Sequence, residues 1–195
     1  MDDFMSNRVS NFPRLATRVA AVLSLALAPW LAAVHSSLAQ SMPIEDLSRF
    51  PRTTLTIRTH ERADRFHVWI ADTPARQEQG LMFVRDLPAS EGMLFPQGVP
   101  AHGESGPLLA HGGKEVLVPQ VAHFWMKNTY IPLDMVFIGE DGRVAKIIAD
   151  ARPFSLDVLS SDVPVIAVLE IRGGEAKQLG VGIGDRVKWA PHVAS

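Results

Sequence analysis

A chain of 195 residues with 19 Lys plus Arg against 21 Asp plus Glu carries a formal net charge of −2 and no cysteine. A balance this close to neutral argues against a phosphate-tracking surface, and the missing thiols exclude disulfides. Stability must then come from a buried core, which a chain of this size can build.

The first 39 residues stand apart. Arg8, Arg14 and Arg18 make a positive start, Val19 to Val34 is an almost wholly apolar run of 16 residues broken by Pro29, and Ser37-Leu38-Ala39 supplies small residues at the end. This is the pattern of a secretory signal peptide over residues 1–39. The run falls short of the roughly 20 residues that span a bilayer, so an uncleaved anchor is the weaker reading. Cleavage after Ala39 would leave 156 residues with 16 Lys plus Arg against 19 Asp plus Glu. That predicts one slightly acidic domain with a periplasmic or secreted address, no stable membrane span after cleavage and no nucleic-acid partner. Residues 40–52 mix polar side chains with Pro43 and Pro51 and read as a flexible lead-in, with order starting near Thr53.

From there Leu55 and Ile57 alternate with polar neighbours, as do Phe66, Val68 and Ile70, predicting two half-buried strands in a hairpin. Thr73-Pro74 is an N-cap followed by a first helical position, and Gly80 suits the left-handed C-terminal position, so a two-turn helix fits between them. Leu81, Met82 and Phe83 are then expected to plug the core, ahead of a short apolar run at Met93 to Phe95. Residues 97–119 are rich in glycine and proline and read as a long loop, with a small hairpin at Glu115 to Val118. His123 to Lys127 and Leu133 to Ile138 alternate as strands, and Gly139-Glu140-Asp141-Gly142 is a hairpin turn returning the chain through Arg143 to Asp150. Val165 to Ile171 reads as one buried strand. A helical turn at Glu175 to Leu179 and a closing strand at Asp185 to Trp189 complete the domain of residues 53–190, with 191–195 as a tail. Seven or eight short strands with one or two short helices predict a mostly β fold, a compact antiparallel sandwich or barrel.

Several blocks fall in order along this domain: Ile70-Ala71-Asp72-Thr73-Pro74, Gly80-Leu81-Met82, Gly92-Met93-Leu94-Phe95, Phe124-Trp-Met-Lys-Asn-Thr-Tyr-Ile-Pro-Leu-Asp134, and Gly182-Ile-Gly-Asp-Arg-Val187. Together they resemble the DUF192 family of bacterial and archaeal domains of unknown function, over roughly Thr53 to Trp189. The resemblance implies a compact mostly β domain, often exported, with no settled activity. Against that family, residues 97–119 look like an insertion.

Candidate chemistry concentrates in the block from Phe124 to Asp134. Trp125 offers a flat apolar wall, Asn128 donates and accepts hydrogen bonds, Lys127 and Arg85 supply cations, and Asp134 flanks the same turn if the two strands pair. These five form the candidate ligand-binding set. The competing reading makes Lys127 and Asp134 a structural ion pair, with Asn128 and Thr129 capping the turn and Trp125 filling the core. Glu170 is the lone charge in Val165 to Ile171 and needs a partner such as Arg172, Lys127, Arg85 or Arg186. The sharper alternative joins Asp134 and Glu170 as an acid and base acting on an envelope saccharide or ester. His102, His111 and His123, with Glu104 and Glu115, match no zinc spacing and are read as solvent-facing, so neither metal nor cofactor is expected. No serine sits in a nucleophile elbow, and Gly182-x-Gly184 is too short for a phosphate loop. The function that follows is a non-catalytic binding or scaffold module of the cell envelope, recognising a small polar ligand, a glycan or an envelope protein.

Overall fold

The computed structural model describes residues 44–97, 99–100 and 117–190; residues 1–43, most of the Gly/Pro-rich loop and the last five residues lie outside them. The described part is mostly β. Seven strands form one sheet: β1 (Arg52–Arg58), β2 (Ala63–Ile70), β3 (Glu91–Pro96), β7 (Leu133–Ile138), β8 (Val144–Ala151), β10 (Ala167–Arg172) and β11 (Arg186–Trp189). Their order is β11-β1-β2-β3-β10-β7-β8. Every pair is antiparallel except β2–β3, which runs parallel with Val68 beside Gly92. Two small sheets complete it, β4 (Val99–Pro100) with β5 (Leu117–Val118) and β6 (Gln120–Phe124) with β9 (Leu159–Val165).

The sheet curls until its edges meet. Arg143, at the turn before β8, bridges to Arg186 on β11, and the Val144 N–H donates to the Asp185 carbonyl at 2.8 Å. Alternation then sorts the apolar residues onto two faces. Leu55, Ile57, Phe66, Leu94, Val136, Leu169 and Val187 fill the inside of the curl. Met93, Phe95, Met135, Phe137 and Val168 point outward and are covered by Leu81, Leu87, Ala122 and Met126.

Local chemistry explains the short helices. In α1 (Pro74–Gln79) the Thr73 side chain accepts from the Arg76 N–H, Pro74 takes the first position, and Gly80 follows at φ 49°. Of the residues expected to plug the core after it, only Leu81 is buried; Phe83 adopts φ 65° and stays 42% exposed. α2 (Glu175–Gln178) begins at Gly174, which has no side chain to cap it.

Three further expectations are corrected. The end of the lead-in is tied to the domain: Leu47–Arg49 form a 3₁₀ turn, Phe50 is buried, and the Arg76 guanidinium binds Glu45 at 3.0 Å and Asp72 at 2.8 Å. The apolar run at Val165 breaks at Ile166, where the chain leaves β9 and enters β10. The third concerns pairing, since β6 joins β9 and β7 lies between β10 and β8, so no hairpin links β6 to β7. Of the hairpin expected at Glu115 to Val118, Leu117 and Val118 pair with Pro100 and Val99, and the rest lies outside the described residues.

Candidate functional site

A cleft of about 330 Å³ opens on the outer face of the sheet, between the end of α1 and the segment that follows β6. Phe95 and Phe124 form one wall, their rings edge-to-face at 5.1 Å, and Leu81 and Met82 form the other. The rim carries Glu78, His123, Trp125 and Lys127. Met126 sets this rim. It is fully buried and its N–H donates to the Ser155 carbonyl at 2.9 Å, which turns Trp125 and Lys127 outward. Trp125 is 48% exposed, and the Lys127 ammonium lies 5.0 Å from its ring centroid in cation–π contact.

Glu170 forms the floor. Its in-register neighbours are Met93 on β3 and Met135 on β7, and it is 5% exposed. None of Arg172, Lys127, Arg85 and Arg186 pairs with it, and no ion pair among the described residues includes it. Burial alone pushes its carboxyl up to about 8, so it carries a proton at neutral pH. That neutral group is an O–H donor with no partner among the described residues, aimed into an accessible cleft. The partner expected from the sequence is replaced by protonation.

Asp134 does something else. It is fully buried and accepts three backbone N–H groups: Asp150 at 2.8 Å and Gly174 at 2.9 Å on Oδ1, and Ala176 at 2.8 Å on Oδ2. It supplies from outside the cap that Gly174 cannot give α2. Asp134 shares the inner face with Val136 and Ile138, whereas Glu170 shares the outer face with Val168. The two carboxyls stand on opposite sides of the sheet, so they cannot act as an acid and base pair on one bond, and Asp134 is not a ligand-facing group.

Two other candidates also lie off the cleft. The Arg85 guanidinium stacks 4.5 Å over Tyr130. Asn128 adopts φ 55° at its turn, its carbonyl accepting the Phe83 N–H at 2.9 Å and its Nδ2 reaching the Met82 sulfur at 3.8 Å. Of the five candidate binding residues, the structure therefore brings only Trp125 and Lys127 together at the cleft, and it adds Glu170. The zinc candidates lie outside the described residues except His123, and no group of three or more His, Asp or Glu among the described residues is placed to hold a metal. An exposed aromatic group escaped the sequence: Phe83 and Phe154 flank Tyr130 at 6.0 and 5.2 Å, both at positive φ. Their exposure follows from left-handed backbone that no apolar pattern announces.

The fold places the chain among compact, mostly β domains built on one curled sheet. The chain belongs to the DUF192 family, described as an uncharacterised ACR, whose model matches residues 55–107 and 109–189. It is similar to a crystal structure from Sinorhizobium meliloti 1021 whose description proposes a transcription regulator. The two are 35% identical with a TM-score of 0.60, covering 72% of this chain and 95% of that one. It is also similar to a protein of unknown function from Novosphingobium aromaticivorans DSM 12444, at 35% identity and a TM-score of 0.62 over 75% of this chain and 91% of that one. No curated protein matches the chain. No helix among the described residues is long and apolar enough to cross a membrane.

Proposed function

We propose that this is an exported, non-catalytic binding domain of the cell envelope, holding a small polar ligand, or the polar end of a glycan or envelope protein, in the cleft beneath Trp125 and Lys127. The supporting observation is the Glu170 carboxyl, unpartnered among the described residues, on the floor of an accessible cleft. A buried polar group without a partner costs stability, and a ligand acceptor would recover that cost. Asp134, the partner expected for Glu170 in acid–base chemistry, faces the other side of the sheet, which favours recognition over that mechanism. The signal-peptide pattern supports the export half of the reading. The regulator description of the Sinorhizobium neighbour is not adopted, because residues 40–195 carry 16 basic against 19 acidic residues, a balance that argues against phosphate tracking.

The test is a thermal-shift screen against metabolites and glycans with wild type, Trp125→Ala and Lys127→Ala. Both side chains are exposed, so both variants should fold while losing the ligand-induced shifts. Shifts that survive in both variants would refute the cleft as the binding site. Mass spectrometry of protein from the periplasm or medium should find a mature N-terminus at Gln40; intact protein retained in the cytoplasm would refute export.

A further inference from the structure

Resting on that reading, we infer that the ligand is a small monocarboxylate with an apolar body, its carboxylate seated against the Glu170 carboxyl at the cleft floor. The walls carry Leu81, Met82, Phe95 and Phe124. They would desolvate the hydroxyls of a polyol without pairing them, but they suit a short alkyl or aryl group. The volume of about 330 Å³ lies at the small end of ligand sites, which limits that body to a few carbons or one ring.

The polar groups then fix the head. The ionisable ones facing the cleft are Glu170 from β10, Glu78 from α1, His123 from β6, and Lys127 beyond it; β3 contributes Phe95 and no charge. The Gln77, Gln79, Gln97 and Thr129 side chains that also line it already donate to backbone carbonyls. A protonated Glu170 can donate its O–H to a carboxylate oxygen, a charge-assisted bond of the short, strong kind. The pair then shares one proton and one negative charge, and the Lys127 ammonium at the rim is the cation that offsets it. An amine would meet Lys127 on entry and would need Glu170 to ionise among Met93, Met135 and the aromatic wall.

The sign of the pH dependence separates these ligands. Carboxylate binding needs the Glu170 proton, so affinity should be level below about pH 8 and fall about tenfold per pH unit above it. Amine binding, which needs the ionised carboxyl, would instead strengthen up to about pH 8 and level off above it. Calorimetric titrations of benzoate and butanoate, with butylamine and butanamide as comparators, should be run from pH 6 to 9.5. The inference expects the two acids to bind wild type and weaken above pH 8. Glu170→Gln, which keeps a neutral donor of similar shape, should bind them with no fall above pH 8, and Glu170→Leu should lose them. Preference for butylamine or butanamide, or an unchanged pH profile in Glu170→Gln, overturns it. If none of the four binds while the wider screen yields a ligand lost in Trp125→Ala, the carboxylate inference fails and the binding reading stands. A screen with no ligand at all refutes both.

Discussion

Replacing Glu170 with glutamine should stabilise the protein, and only above a definable pH. The folded carboxyl holds its proton up to about pH 8, whereas an ordinary glutamate releases it near 4.5. Because the folded pKa is the higher one, stability is fully present below about 4.5 and is lost as pH rises through 8, where the folded state must carry a buried carboxylate without a partner among the described residues. At about 1.4 kcal/mol per pH unit, the loss approaches about 4–5 kcal/mol by pH 8 and then levels off. That is a large share of the roughly 5–15 kcal/mol typical of a domain. It is an upper bound, because water entering the cleft solvates the carboxylate. Glu170→Gln is neutral at every pH and removes the slope. Urea unfolding of both proteins at each unit from pH 5 to 9 should show a stability gap near zero at pH 5 that favours the variant by several kcal/mol at pH 8 to 9. A gap that is flat across the range, or that favours wild type at high pH, would refute the assignment of Glu170 as a neutral, unpartnered acid.

Two more outcomes follow from the packing. Asp134→Ala should lose about 3–5 kcal/mol in denaturant unfolding, since one buried and two part-buried N–H groups lose their carboxylate acceptor at 2.8–2.9 Å, each worth about 1–3 kcal/mol; a loss under 0.5 kcal/mol would contradict the capping role. Gly92→Ala drives a Cβ into the Glu170 carbonyl oxygen and 3.0 Å from the Ile171 side chain, forcing β3 and β10 apart. Its cost should reach about 3 kcal/mol, the upper end for overpacking, and an unchanged melting temperature would show that the two strands are not this close.

The elements that the sequence revealed are those whose signals are local. Leu55 and Ile57 alternate against Phe66 and Val68 because both strands bury one side, and Thr73-Pro74 with Gly80 spells out a helix by capping chemistry alone. Glu170 also stood out, as a charge in an apolar run. What stayed hidden was pairing. Alternation in β6 and β7 says which face is buried but not which strand lies alongside, so the two looked like a hairpin when each pairs elsewhere. The same ambiguity placed Asp134 beside Trp125 and Lys127, although it faces the inside of the curl and they rim the outer cleft. Nor could the sequence tell a partner from a proton: a lone buried glutamate can be satisfied by either, and only the absence of an ion pair to Glu170 among the described residues decides for the proton. Phe83 read as core because it follows Leu81 and Met82 in an apolar run, and its positive φ is a tertiary outcome.

The adjacency of β1 and β11 fixes when the domain can be finished. Leu55 lies opposite Trp189, so the outer hydrogen-bonding edge of β1 must wait for residues 134 positions later in the chain. At about 5–20 residues per second of synthesis, that edge stays open for roughly 7–27 s, an invitation to wrong pairing unless something shields it. Until Trp189 has been made, the curl cannot close on both sides.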